Sequence, residues 1–164
     1  MNDIILIISI ILNIVLAILL FFKSAINNII IEWWKARKEE KKEKINKLNN
    51  LKTFIEKVTR YYIIILINEL QQQYHPEILN NADFNKKCSE TVNNLGIILE
   101  EISKSERFYP TDLRLSVRKF TTKNSTYLEQ IIDKKNTISI YKIVDDIQEE
   151  SYKLIQKIED IIFK

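Results

Sequence analysis

The stretch IILIISIILNIVLAILLFF, residues 4–22, decides what the first part of this chain is. All nineteen of its residues are apolar except Ser9 and Asn13. A helix needs about 20 predominantly apolar residues to cross the hydrocarbon core of a bilayer, so this stretch is long enough. The sequence therefore predicts an N-terminal transmembrane anchor.

A cleaved signal peptide is the alternative interpretation of an apolar segment at this place in a chain. Signal peptides typically begin with basic residues, carry a shorter apolar run and end in a small-x-small cleavage site. Here Asn2 and Asp3 precede the run, the run is long, and no Ala-x-Ala-like site follows it. We therefore expect an anchor that stays attached to the chain.

Charge bias predicts the orientation of the anchor. One acidic residue precedes the apolar run, and a basic series follows it: Lys23, Lys35, Arg37, Lys38, Lys41, Lys42, Lys44 and Lys47. Basic flanking residues stay on the cytoplasmic side, and Trp33 and Trp34 are typical of the membrane interface. We expect a single-pass membrane protein, in contact with lipid, with its amino terminus outside and its carboxyl-terminal domain in the cytoplasm.

Polar and small residues gather on one side of the predicted anchor. At about 100° per residue they fall within one arc of roughly 100°. They are Ser9, Asn13, Ala17, Ser24, Asn27 and Asn28. Such residues in membrane helices usually face other helices or water. Three interpretations stay open: self-association into a homo-oligomer, a stripe that lines the axis of a pore-forming ring of protomers, and chance.

The composition predicts an all-α fold. Gly occurs once and Pro twice in 164 residues, whereas sheets and long loops usually need more of both. We expect a transmembrane anchor and interfacial segment over 1–34, a charged helical stalk over 35–50 and a cytoplasmic helical bundle over 51–164. Apolar residues at helical spacing predict that the last segment is a four- to five-helix antiparallel bundle with short loops.

Local signals predict where the helices begin. Asn49-Asn50 is the expected joint between stalk and bundle, because Thr53-x-x-Glu56 just beyond it is a capping box. Asp83 and Thr111 are expected to cap the next two helices. A second capping box, Thr126-x-x-Glu129, predicts an interruption or kink in the helix that follows Thr111.

No residue pattern predicts catalysis, a metal site or a cofactor. His75 is the one histidine and Cys88 the one cysteine, so a His/Cys metal cluster is not available. Phosphate-loop, nucleophile-elbow and zinc-protease motifs do not occur in the sequence. The net charge of +3 is too small to indicate nucleic acid, and no DNA partner is expected. We expect a protein that is not an enzyme.

One cluster of basic and aromatic residues is a candidate binding site for an anion. It comprises Lys104, Arg107, Tyr109, Arg114, Arg118, Lys119 and Lys123, with Phe108 among them. Arg offers planar donors for phosphate, and aromatic rings offer faces for bases. Nucleotide-like ligands fit this mixture better than lipid headgroups, which should bind nearer the stalk. A solvated helix face is the alternative interpretation.

The layout of the chain resembles that of small membrane effectors that accompany CRISPR antiviral systems. The shared features are the anchor Ile4–Phe22, the basic stalk, the helical domain and the basic segment Arg107–Lys123. The resemblance covers the whole layout without a specific motif. It is closest to the membrane effector of type III systems that cyclic tetra-adenylate activates.

A second group, which accompanies RNA-targeting type VI systems, forms a membrane pore and carries a degenerate nuclease-like helical domain. That domain normally shows an Arg followed a few residues later by His. In this chain Arg60 is the nearest arginine before His75, so the motif is absent. This departure favours the resemblance to the type III effector.

The resemblance implies a non-enzymatic effector of antiviral defence. Its cytoplasmic domain would bind a cyclic oligoadenylate, and binding would gate membrane disruption or pore opening by a homo-oligomer. Two other functions stay open: a single-span adaptor whose bundle binds a protein partner, and a phage-type lysis or exclusion protein that acts without a ligand.

Overall fold

The computed structural model describes residues 2–133 and 139–163, and the side chains of 12–23, 25–133 and 139–163. The α-helices are α1 (Asn2–Tyr74), α2 (Ala82–Ser105), α3 (Thr111–Ile132) and α4 (Ile140–Ile162). Short 3-10 helices at Pro76–Asn80 and Glu106–Phe108 precede α2 and α3. Over the described residues the chain is helical with no strand, which confirms the all-α prediction.

The chain divides into two compact units, one ending at Lys44 and the other beginning at Ile45. In the first unit, every described side chain is exposed except that of Ala25, which is half-buried. Large apolar side chains are among the exposed ones; Leu12 is 70% and Phe21 73% accessible. Within the described residues, α1 is the one helix long and apolar enough to cross a membrane.

The second unit has a hydrophobic core to which all four helices contribute. Residues of α1 three or four positions apart are buried, because that spacing places them on one face of the helix. These are Leu48, Leu51, Ile55, Val58, Tyr62 and Ile65. The same cluster contains Leu95 and Ile102 of α2, Leu113 and Phe120 of α3, and Ile143, Ile147 and Ile158 of α4.

Polar contacts show that α4 runs opposite to α1. Lys52 Nζ lies 2.5 Å from Glu159 Oε1, and Thr59 Oγ1 donates to Ser151 Oγ at 2.7 Å. Later residues of α1 therefore meet earlier residues of α4.

The direction of α3 relative to α4 follows in the same way. Lys157 Nζ donates to the Asp112 carbonyl at 3.1 Å, near the start of α3. At the other end of α3, Tyr127 Oη donates to Asp146 Oδ2 at 2.5 Å. These two helices are therefore antiparallel neighbours, and the contacts place the polar groups of α3 against those of α4.

The expected joint at Asn49-Asn50 is wrong, because α1 continues through it to Tyr74. Leu48 and Leu51 are buried on either side of the two asparagines, so packing maintains the helical period across them. Thr53 Oγ1 donates to the Asn49 carbonyl at 3.1 Å, which is how a threonine inside a helix behaves. The capping box at this position is therefore not used.

Three other predicted helix starts are also wrong. Asn81 caps α2 in place of Asp83, since its Oδ1 accepts from the backbone nitrogens of Asp83 and Phe84 at 3.0 and 3.2 Å. Pro110 occupies the cap position of α3, so Thr111 lies inside the helix. Helix α3 continues without interruption past Thr126, whose Oγ1 donates to the Thr122 carbonyl.

Gly96 lies inside α2 without a packing requirement for glycine. A Cβ at this position would lie 3.7 Å from Leu128 Cδ2, an ordinary van der Waals distance. We expect Gly96→Ala to stabilise the domain by about 0.5–1 kcal/mol, because alanine restricts the unfolded chain and favours the helix. Thermal unfolding followed by circular dichroism measures this, and a lowered midpoint would contradict it.

Candidate functional site

Two of the predicted anion-binding residues hold the connection between α2 and α3. Arg114 Nη2 donates to the carbonyl oxygens of Arg107 and Tyr109, at 3.1 and 3.2 Å. Tyr109 is 5% exposed, and its hydroxyl lies 2.8 Å from Ser105 Oγ. Burial raises the pKa of this phenol, so it stays protonated at neutral pH. The side chains of Arg114 and Tyr109 thus stabilise the connection between α2 and α3.

Two further residues of the predicted cluster have acidic partners. Arg118 donates hydrogen bonds to the Glu106 carboxylate from Nε at 3.0 Å and from Nη2 at 2.6 Å. Glu106 is well covered, with 12% of its side chain exposed, and its carboxylate raises the pKa of Arg118. Lys104 Nζ lies 2.6 Å from Glu100 Oε1 one turn earlier on α2. An anionic ligand would have to displace these carboxylates.

Lys123 belongs to a network that joins α3 to α4. Its Nζ lies 2.5 Å from Asp146 Oδ2 and 2.7 Å from Glu150 Oε1. Burial acts to lower the pKa of Lys123, but the hydrogen bonds and charges of the two carboxylates outweigh it and raise the pKa. The hydrogen bonds from Lys123 and then from Tyr127 lower the pKa of Asp146.

Lys123→Met should destabilise the folded domain at neutral pH by about 1 kcal/mol, because it removes the ion-pair partner of two carboxylates. The cost stays well below that of a fully buried pair, since about a third of each side chain is exposed. A folded-state pKa of Asp146 below 3.8 contributes stability above about pH 4 that is lost as the pH falls further. The raised pKa of Lys123 contributes stability below about pH 10.5 that is lost at higher pH.

The difference between wild type and Lys123→Met should therefore be largest between about pH 4 and pH 10.5 and shrink outside this window. Urea unfolding at pH 3 and pH 7 measures it. Lys86→Met is the matched control, because Lys86 is exposed and lies 4.0 Å from Glu90. An equal loss of stability at both pH values would contradict the assigned cause.

Arg107 and Phe108 meet a residue from α1 that the sequence did not indicate. The guanidinium carbon of Arg107 lies 4.8 Å from the centroid of the Phe108 ring, and Lys47 Nζ lies 5.0 Å from it. Phe108 remains 54% exposed. Each cation is attracted to the aromatic ring by a cation–π interaction, although the two like charges repel each other.

Lys119 lies in a different place, in a groove between α3 and α4. Lys153 and Lys157 of α4 line the same groove. The predicted cluster is thus divided among the α2–α3 connection, the ion-pair network of Lys123 and this groove. Sequence reasoning missed Lys153 and Lys157 as neighbours of Lys119; their spacing of four residues was a signal that they share a helix face.

The polar stripe of the predicted anchor is only partly described. Asn13, Ala17, Asn27 and Asn28 are exposed on α1. The side chains of Ser9 and Ser24 lie outside the described residues. The roles proposed for the stripe in an oligomer or pore stay predictions.

His75 and Cys88 show no reactive arrangement with their described neighbours. His75 Nδ1 lies 3.1 Å from Glu77 Oε1 on the exposed surface. Cys88 is half-buried, and burial raises the pKa of its thiol, which disfavours the thiolate. Within the described residues no group of three metal-binding side chains occurs.

These features define a helical protein with one candidate membrane span and a separate helical domain. Comparison with protein-family models, with curated proteins and with solved structures gives no match.

Proposed function

We propose that this chain is a single-pass protein of the bacterial inner membrane whose antiparallel helical bundle acts in the cytoplasm as a non-enzymatic effector. The observation that carries the proposal is the apolar surface of α1 over residues 12–22, whose side chains are all exposed. Exposed apolar patches of this extent are unfavourable in water, and a bilayer removes them from it.

Interfacial side chains after the apolar run support the same proposal. Trp33 and Trp34 are 51% and 67% exposed, and their rings meet edge to face with centroids 6.4 Å apart. The guanidinium carbon of Arg37 lies 4.2 Å from the Trp33 ring centroid. Tryptophans followed by basic residues are typical of the cytoplasmic boundary of a spanning helix.

A protease added outside intact spheroplasts should leave the carboxyl-terminal domain whole, because the basic flank favours a cytoplasmic location. Detection of a carboxyl-terminal epitope tag on a blot measures protection, and permeabilised spheroplasts supply the control in which the tag must be lost. Loss of the tag from intact spheroplasts would contradict the orientation.

A nucleotide-like anion is the ligand that we propose for the effector domain. Support comes from the resemblance to CRISPR membrane effectors and from the exposed cations Arg107 and Lys119. Arg114 and Arg118 support a nucleotide ligand less, since both already donate hydrogen bonds to oxygen atoms of the chain. A ligand shifts the domain between two states only by binding one of them more tightly.

The adaptor and lysis alternatives make different predictions about the same molecule. A protein that acts as an adaptor should retain its activity when an unrelated spanning helix replaces residues 4–22. A protein that disrupts membranes without a ligand should be toxic on expression alone, and Asn13→Leu should abolish that toxicity. Growth curves of cells that express the chain, with and without cyclic oligoadenylate synthesis, distinguish these cases.

A further inference from the structure

The groove between α3 and α4 carries an excess of cationic side chains. Its volume is about 290 Å³. Ser116, Lys119 and Phe120 line it from α3, and Lys153, Leu154 and Lys157 line it from α4. Three lysines therefore face one small depression whose floor includes the buried side chains Phe120 and Leu154.

Glu149 and Glu150, the acidic residues of α4 beside this groove, are already paired with lysines. Glu150 is the one acidic residue that lines it, and Glu150 Oε1 lies 2.7 Å from Lys123 Nζ. Lys153 Nζ lies 2.5 Å from Glu149 Oε1 one turn earlier. Of the three lysines that line the groove, Lys153 therefore has an acidic partner, and Lys119 and Lys157 are the two that remain.

Lys157 is positioned by neutral groups only. Its Nζ donates to Ser116 Oγ at 2.8 Å and to the Asp112 carbonyl at 3.1 Å. Within the described residues, no carboxylate lies within salt-bridge distance of Lys157 or of Lys119. Lys119 and Lys157 line the same groove from α3 and α4, so a bound anion would offset the repulsion between these two like charges.

We propose that this groove is a binding site for a small phosphate-bearing ligand. The ammonium groups of Lys119 and Lys157 bind the phosphate oxygens as point charges, and the hydroxyl of Ser116, which accepts from Lys157 Nζ and donates to the Asp112 carbonyl at 3.4 Å, positions Lys157. The apolar floor receives the organic part of the ligand. Ligand pockets usually measure about 300–1,000 Å³, and this groove lies just below that range, so it accommodates a ligand no larger than a mononucleotide or one part of a larger ligand.

This inference deepens the proposed effector function, because it assigns the anion to a site other than Arg114 and Arg118. Binding of adenosine monophosphate and of inorganic phosphate to the full chain in detergent micelles tests it by calorimetry at low salt. We expect saturable binding, tighter for the nucleotide. Lys119→Gln and Lys157→Gln should each weaken it about tenfold, the effect of one charge-assisted hydrogen bond.

Lys86→Gln is the matched control, since it removes the same charge from an exposed residue on α2 whose Nζ lies 4.0 Å from Glu90 Oε1. Its affinity should stay within about twofold of wild type, as expected for loss of a distant, screened charge. Absence of saturable binding, or equal weakening by all three variants, would overturn the proposal. Unchanged thermal midpoints of the variants show that they remain folded.

A lipid headgroup could supply the same phosphate chemistry as a soluble nucleotide. Equal affinity for the nucleotide in zwitterionic and in phosphatidylglycerol nanodiscs assigns the groove to a soluble ligand, whereas competition by phosphatidylglycerol assigns it to a headgroup. The proposal of a membrane anchor is tested separately. If the chain binds the nucleotide but does not sediment with membranes, the anchor is refuted and the proposed binding site in the groove is not.

Discussion

Two arginines in the predicted anchor, Leu12→Arg with Leu16→Arg, should transfer the chain from the membrane pellet to the supernatant. Both leucines are exposed on α1, at 70% and 57%, and lie one turn apart on the same face. An arginine near the centre of a spanning helix costs about 2.5–3.5 kcal/mol on insertion scales, so two cost about 5–7 kcal/mol. Such a cost offsets most of the favourable insertion free energy of the span, to which each remaining Ile, Leu, Val or Phe contributes about 0.3–0.6 kcal/mol.

Sedimentation of lysed cells followed by carbonate extraction measures this transfer. The control is Leu12→Val with Leu16→Val, which keeps an apolar surface at the same two positions and should remain in the pellet after extraction. If the arginine variant also resists carbonate, residues 4–22 do not form the membrane-spanning segment.

Tyr62→Ala should destabilise the helical domain by about 3–5 kcal/mol, the range for removal of a large buried ring. Tyr62 is completely buried in the second unit, and its hydroxyl donates to the Asn124 carbonyl at 2.6 Å. Burial raises the pKa of this phenol, so the neutral hydroxyl persists as a donor. This one side chain combines core packing from α1 with a polar contact to α3.

Tyr62→Phe separates the two contributions. It retains the ring and removes the hydrogen bond, so we expect a loss of about 1 kcal/mol. Tyr74→Ala is the control, because Tyr74 is 75% exposed and its truncation should change stability by less than about 0.5 kcal/mol. Urea unfolding measured by circular dichroism compares the three variants; a cost of Tyr62→Ala close to that of Tyr74→Ala would contradict the central position of Tyr62.

The buried face of α1 follows the helical periodicity of its apolar residues. Leu51, Ile55, Val58 and Tyr62 recur at spacings of three and four, and all are buried. The helix boundaries were predicted less well. At Asn49-Asn50 the local signals favour a new helix, but the burial of Leu48 and Leu51 favours continuation of α1. A helix cap contributes roughly a few tenths to one kcal/mol, and the packing of these two leucines outweighs it.

The contacts of the candidate site, in contrast, do not follow from the spacing of its residues in the sequence. Proximity in sequence grouped Arg114, Arg118 and Lys123, yet the first two contact the connection between α2 and α3, whereas Lys123 contacts α4. Arg118 meets Glu106 twelve residues away, and Lys123 meets Glu150 twenty-seven residues away. Long flexible side chains select partners across helix interfaces, and these partners do not follow from sequence spacing.

The sequence by itself determined the all-helical class and the candidate span, because both depend on properties of single segments: helix periodicity, few Gly and Pro, and an apolar length that matches a bilayer. Only the tertiary structure decided which charges are neutralised. The pairing of Lys123 with Asp146 and the meeting of Lys119 with Lys157 depend on how α3 packs against α4. Such pairing arises from distances between residues far apart in the chain, which no local pattern encodes.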